Sequence, residues 1–209
     1  MPVSALVAAM AGIVLASNVL VQFVLPGGLL TWGAFTYPFA FLATDLANRL
    51  HGPRAARRVV LGGFAAGVAF SLAGSQVMVG DAPLVPLRIA VASGTAFLLA
   101  QGLDVALFAA LRGGVWWRAP LVSSLAASAL DTALFFAIAF SAAAGGLFPP
   151  GANAVVAWAS EPAPLLALGP PAPLWVSLAL ADFGVKVALA LVALGPYRLA
   201  LRRWTQAGT

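Results

Sequence analysis

Six long apolar runs divide the chain: 3–25, 30–50, 59–79, 86–111, 119–143 and 173–197. None alternates polar and apolar residues as a barrel strand does, and each has about the ~20 residues a helix needs to cross the hydrocarbon of a bilayer. The pattern predicts an all-α integral membrane protein, a single domain over 1–209 with six transmembrane helices in one bundle. No positive segment precedes the first run, which is also too long for the apolar part of a signal peptide, so it reads as a spanning helix. Pro38 predicts a kink near residues 34–38 of the second helix. His51-Gly52-Pro53 reads as the end of that helix, with Arg54, Arg57 and Arg58 in a basic loop after it. Small-residue pairs at Ala5 and Ala9, Ala8 and Gly12, and Gly63 and Gly67 suit close helix contact. The stretch 144–172 holds six of the 15 prolines and reads as a loop, with 153–160 a short interfacial helix carrying Trp158.

Composition narrows the function classes. Hydrophobic residues make up 62% of the chain and charged ones 8%, against about 25% charged in soluble domains. The absence of cysteine excludes disulfides, thiolate metal sites and thiol nucleophiles, and His51 is the only histidine. There is no HExxH, no GxSxG and no Ser–His pair within the runs. The chain therefore reads as neither an enzyme nor the holder of a metal or cofactor. Of the 11 lysines and arginines, Arg49, Arg54, Arg57, Arg58, Arg112, Arg118, Arg198, Arg202 and Arg203 fall on one side of the six runs. Arg88 falls on the other side and Lys186 within a run. By the positive-inside rule that basic side, with both termini, is cytoplasmic in a plasma membrane, and 144–172 faces outward. The net charge of +5 is thus a topology signal and needs no nucleic-acid partner.

Polar groups inside the runs are the candidate chemistry. The fourth and fifth runs share Leu-Asp-x-Ala-Leu-Phe, at 103–108 and 130–135. A carboxylate at such depth is costly and faces a partner, a cavity or a ligand. At 1.5 Å of rise per residue, Asp104 lies about 12 Å above Arg112 and Asp131 about 20 Å above Arg118. Lys186 and Asp182 lie about 18 and 24 Å above Arg198 on the same scale. Asp131 is the expected partner of Lys186, with Asp182, four residues away on the same helix, the alternative. In one reading these charges only lock helices in register. In the other, Gln101, Asp104, Ser128 and Asp131 line a cavity that opens alternately to the two sides. Asn18 and Gln22 share a face of the first helix, and Asp45 sits near the basic mouth, one turn from Arg49.

These pieces together resemble the queuosine precursor transporter (VUT) family. The matching stretches are SNVLVQ at 17–22, TWGAFTYPFAFLATDLANR at 31–49, GPRAARRVV at 52–60, 88–112 including AQGLDVALF, 116–140 including ALDTALFFAIAF, and ADFGVK at 181–186. The resemblance implies uptake of the 7-deazaguanine precursors of queuosine, 7-cyano- and 7-aminomethyl-7-deazaguanine. It also implies a six-helix fold akin to the substrate-binding subunits of energy-coupling-factor vitamin transporters. It leaves open whether the chain works alone, with a second copy of itself, or with an ATPase partner. The expected substrate site is Asn18, Gln22, Asp45, Gln101, Asp104, Phe108, Ser128, Asp131, Phe135 and Lys186. A guanine-like ring presents N1–H and a 2-amino group side by side, a donor pair that one carboxylate can accept. Gln101 would read the ring carbonyl, and Phe108, Phe135 or Trp117 would stack on its face.

Overall fold

The structure, a computed structural model, describes residues 1–20, 23, 25–26, 28–36 and 38–206. Among the described residues, five helices are long and apolar enough to cross a membrane. They are α1 (Val3–Leu20), α4 (Pro53–Ser75), α5 (Leu87–Leu111), α6 (Arg118–Phe140) and α8 (Leu174–Gln206). The expected second span differs. It is two helices, α2 (Gly33–Thr36) and α3 (Pro38–His51), bracketing Tyr37, which lies outside the described residues. Pro38 begins α3, where its missing N–H has no partner to lose. At 14 residues α3 is about 21 Å long, short of the ~30 Å hydrocarbon thickness. Nine of its residues are buried, so its apolar side packs on protein rather than lipid.

Two further boundaries move for local reasons. Gly52 takes a left-handed conformation (φ 83°) and Pro53 starts α4, so Arg54, Arg57 and Arg58 ride on helix instead of in a loop. The basic tail likewise continues α8, with Pro196 inside the helix. The turn after α4 is a hairpin of β1 (Met78–Val79) and β2 (Ala82–Pro83) around Gly80. The 144–172 segment contains α7 (Pro150–Ala154) and the start of a second hairpin, β3 (Pro162–Pro164) with β4 (Pro171–Pro173). The short helix expected at 153–160 is split between α7 and a 3-10 turn, Ala157–Ser160.

α5 and α6 form the most extensive helix pair, and α8 packs on α6 while α1 packs on α4. On α1 the contact face is Leu6, Met10, Val14 and Ser17, at helical spacing. Its small residues, expected to form that face, point elsewhere: Ala8, Ala9 and Gly12 are exposed. The close approach is supplied by α4, whose Gly62 and Gly63 receive Val7 and Met10. His51 Nε2 lies 2.8 Å from the Met1 carbonyl, which sets the N-terminus at the same end as the arginines. At the opposite end Arg88 is buried and donates to the carbonyls of Ile138 (2.8 Å) and Ser141 and to Asn153 Oδ1 (2.9 Å). Asn153 in turn donates to the Gly145 carbonyl, and the Phe148 ring lies under the guanidinium. The arginine thus uses carbonyls that the end of α6 leaves unpaired to fasten the loop over the bundle.

A side chain at Gly63 would collide with Met10 and approach Phe97 Cζ to 3.2 Å, whereas one at Gly12 meets nothing within 4 Å. Gly63→Ile is therefore expected to destabilise the purified protein by about 1–3 kcal/mol and Gly12→Ala to leave it unchanged. Thermal unfolding in detergent is the measurement, and equal melting of the two variants would show that α1 does not seat in the α4 glycine groove.

Candidate functional site

A cavity of about 520 Å³ opens in the half of the bundle nearer the 144–172 loop. Its size is in the range of sites that enclose small organic ligands. α1, α4, α5, α6 and α8 all contribute to its lining, with the 28–34 segment covering one side. At its floor, Lys186 Nζ lies 2.7 Å from Asp131 Oδ2 and 2.5 Å from Asp182 Oδ2. Lys186 also donates to Thr132 Oγ1 (3.1 Å), and Thr132 donates to Asp182 Oδ2 (2.8 Å). An ammonium has three hydrogens to give, and these are three of its acceptors. Both the cross-helix partner and the within-helix partner are thus present at once.

One wall is aromatic. Phe135 and Phe136 meet edge to face with centroids 5.1 Å apart, and Phe140 meets Trp158 at 5.7 Å. The opposite wall is Phe64, Gly67 and Phe97, with Ser17, Asn18, Thr31, Ser71 and Ser93 as polar points. Ser17 donates to Thr36 (2.6 Å), whose own hydroxyl donates to the Gly33 carbonyl (2.9 Å), so α2 is pinned to α1 at the cavity rim.

Of the expected site residues, Asn18, Asp131, Phe135 and Lys186 line this cavity. Gln22 lies outside the described residues. The others form a separate, buried level nearer the basic end. Asp45, Gln101, Asp104, Phe108 and Ser128 are at most 2% exposed there. The shared motif is the reason. α5 and α6 run in opposite directions, so its phenylalanine lies toward the basic end on α5 and toward the loop end on α6. Phe108 accordingly packs edge-on against Tyr197 and under the Arg49 guanidinium, not in the cavity. Trp117 sits half-exposed beside the α5–α6 turn.

Within the lower level, Thr44 Oγ1 lies 2.7 Å from Gln101 Oε1, and Asn48 donates to the Val105 carbonyl (2.9 Å). Ser123 and Ser124 each reach an oxygen of Asp45 at 3.4 Å. Among the described residues, neither oxygen of Asp104 has a hydrogen-bond partner, nor does Gln101 Nε2. Below it, Arg49 donates to Tyr197 Oη (3.0 Å) and to the Arg112 carbonyl (2.6 Å), closing the basic end. A space of about 20 Å³ beside the lower level has Asp45, Ser124, Ser128 and Lys186 within a mainly apolar lining.

Sequence reasoning did not assign site roles to Thr132, Asp182, Phe136, Phe140 or Trp158. Asp182 carried a signal, its four-residue spacing to Lys186. Phe136 and Phe140 continue the Thr132 stripe by whole turns. Trp158 carried none, since its place depends on how the loop folds back.

Residues 31–200 match the family described as "Putative vitamin uptake transporter". The chain is 34% identical over 195 residues to the "Queuosine precursor transporter" of Escherichia coli K12, covering 86% of this chain and 77% of that protein. It is 39% identical over 121 residues to the "Probable queuosine precursor transporter" of Haemophilus influenzae Rd, 53% of this chain and 52% of that protein. No solved structure matches the chain.

The buried triad sets a stability expectation. Removing the ammonium leaves two carboxylates facing one another, and breaking a buried ion pair costs about 3–5 kcal/mol. Lys186→Met should therefore lower the yield and melting temperature of the purified protein. Adding either Asp131→Asn or Asp182→Asn should recover part of the loss, and adding both should recover most of it. Full recovery with Asp182→Asn alone would mean that Asp131 does not depend on the lysine.

Proposed function

The chain belongs to the vitamin uptake transporter family, and on that premise we propose that it carries queuosine precursors, 7-cyano- and 7-aminomethyl-7-deazaguanine, into the cytoplasm. The observation that carries the reading is the pairing, in one cavity, of a carboxylate-rich floor with an aromatic wall. A deazapurine needs both. Its flat face is matched by Phe135 and its neighbours, and its adjacent N–H donors by one carboxylate of the Asp131–Lys186–Asp182 triad. Such a ring is neutral but strongly hydrogen-bonding, and lipid gives those groups no partners, so it crosses a bilayer slowly without a carrier. Asn18 and Ser93 supply polar contacts on the other walls.

The bundle sits in the plasma membrane with the arginine-rich end and both termini in the cytoplasm. α2 and α3 together make the sixth crossing, a broken helix of the kind that transporters place beside a substrate site. The cavity then faces outward, and the Arg49–Tyr197–Phe108 layer closes the inner side. Import requires that layer to part while the loop side closes.

The uptake reading is tested in cells unable to synthesise 7-deazaguanines. Expression of the chain should confer uptake of labelled 7-cyano-7-deazaguanine, and absence of uptake by a chain present in the membrane would overturn the reading. Phe135→Ala should weaken uptake about 5- to 150-fold, as expected for loss of one stacking ring worth about 1–3 kcal/mol.

Orientation is tested by cysteines introduced into this cysteine-free chain. An impermeant maleimide should label Leu168→Cys, where the native residue is 96% exposed, in intact cells. It should label Arg57→Cys only after lysis. The reverse pattern would invert the topology.

A further inference from the structure

We propose that Asp45 and Asp104 form a proton-binding site, separate from the substrate cavity, through which import is coupled to proton entry. The proposal rests on the transport reading above and concerns what drives it.

The cross-helix bonds from Thr44 to Gln101 and from Asn48 to Val105 bracket Asp45 and Asp104 between α3 and α5. From α6, Ser123 puts its hydroxyl 3.4 Å from Asp45 Oδ1. Among the described residues, neither oxygen of Asp104, which is 0% exposed, has a donor at hydrogen-bond distance, and the hydrogen bonds to Asp45 are the two long serine contacts. A carboxylate in so dry a place needs a counter-charge or a proton.

The groups facing the pair do not supply enough charge. From α3 comes Arg49, one turn from Asp45 and within its electrostatic reach. It donates to Tyr197 and to the Arg112 carbonyl, and makes no ion pair with either carboxylate among the described contacts. From the end of α5 comes Arg112, which turns back to the Arg49 carbonyl. α6 offers serines here, with Asp131 higher up beside Lys186. α8 offers Tyr197 and Lys186, and Lys186 is held by Asp131 and Asp182. On α4, Arg54, Arg57 and Arg58 are exposed. Two carboxylates against one nearby guanidinium leave one negative charge, which one proton neutralises.

A small space beside Asp45 offers the proton its way in. Lys186 lines both the substrate cavity and the 20 Å³ space, whose mainly apolar lining also includes Asp45, Ser124 and Ser128. That space holds about one water and is too small for a hydrated metal ion. A water there, with the serine hydroxyls, would carry a proton from the cavity to an oxygen of Asp45. The Arg49–Tyr197 layer bars its exit until the basic end opens, when the O–H releases it to cytoplasmic water. Loading from outside and release inside then require the same conformational change that moves the substrate.

The test uses the full chain in liposomes containing a pH-reporting dye, with 7-cyano-7-deazaguanine as probe. Exchange of labelled for unlabelled probe at equal pH reports transport alone, and its failure would count against the transport reading rather than this one. With exchange intact, adding probe outside should acidify the interior. An inward gradient of about one pH unit should support about tenfold accumulation, abolished by a protonophore. Asp104→Asn should retain exchange and lose gradient-driven accumulation. Accumulation indifferent to the pH gradient, or driven by an imposed sodium gradient instead, would overturn the proposal. So would a folded Asp104→Asn variant that loses exchange as well, since Asp104 would then belong to substrate binding. If that variant does not fold, the wild-type gradient measurement decides alone.

Discussion

The controlling constraint is the cost of charge inside helices that have no water along most of their length. Lys186 can sit mid-helix only because Asp131 and Asp182 hold it from two directions. Asp131 belongs to α6 and Lys186 to α8, so the ion pair fixes the register of these helices as well as the charge balance. Once that register is set, Phe135, Phe136 and Phe140 follow within the next turns of α6 and become the cavity wall. A well-packed apolar substitute for a buried ion pair is often no less stable than the pair itself. Retaining three ionisable groups here therefore points to a use beyond holding the bundle together.

The rest of the molecule secures the two ends of that level. Arg88, the one arginine away from the basic end, is buried and satisfied by carbonyls at the α6 terminus and by Asn153. A proline-rich loop with no core of its own is thereby held where Trp158 can reach Phe140. At the other end Arg49 bridges α3, α5 and α8 through Tyr197, Phe108 and the Arg112 carbonyl. Both latches are made of few, polar, directional contacts between helices. Such contacts can be exchanged for water with less penalty than a tight apolar seam, which suits surfaces that must part.

The long helices were legible because an apolar run of membrane length has few other fates, and rise per residue turned position into depth. That arithmetic placed Lys186 beside Asp131 and set Asp104 lower. What it could not give was direction around the helix or between antiparallel neighbours. The repeated Leu-Asp-x-Ala-Leu-Phe suggested one shared site, yet Phe108 and Phe135 lie toward opposite ends of the bundle. α3 escaped because an apolar run reads the same whether it faces lipid or protein. The basic segment after Gly52 read as a loop, although a proline that stops one helix is also well placed to start the next. Arg88 was legible only as a topology exception, since its partners belong to a loop whose fold the local sequence does not dictate.

A triad of two carboxylates and one ammonium has a property that a simple pair lacks. A ligand whose N–H groups engage one carboxylate does not strand the lysine, because the other carboxylate still holds it. Asp182, with a side chain 17% exposed against 6% for Asp131, is the member more open to such an exchange. The lower level repeats the arithmetic with Asp45, Asp104 and Arg49: two acceptors, one nearby cation, and room for one further positive partner. In each case the surplus carboxylate can take up and give back a partner without leaving an isolated charge in a dry bundle. A carrier needs that reversibility, because a site whose loaded state alone is tolerable would bind its cargo and keep it.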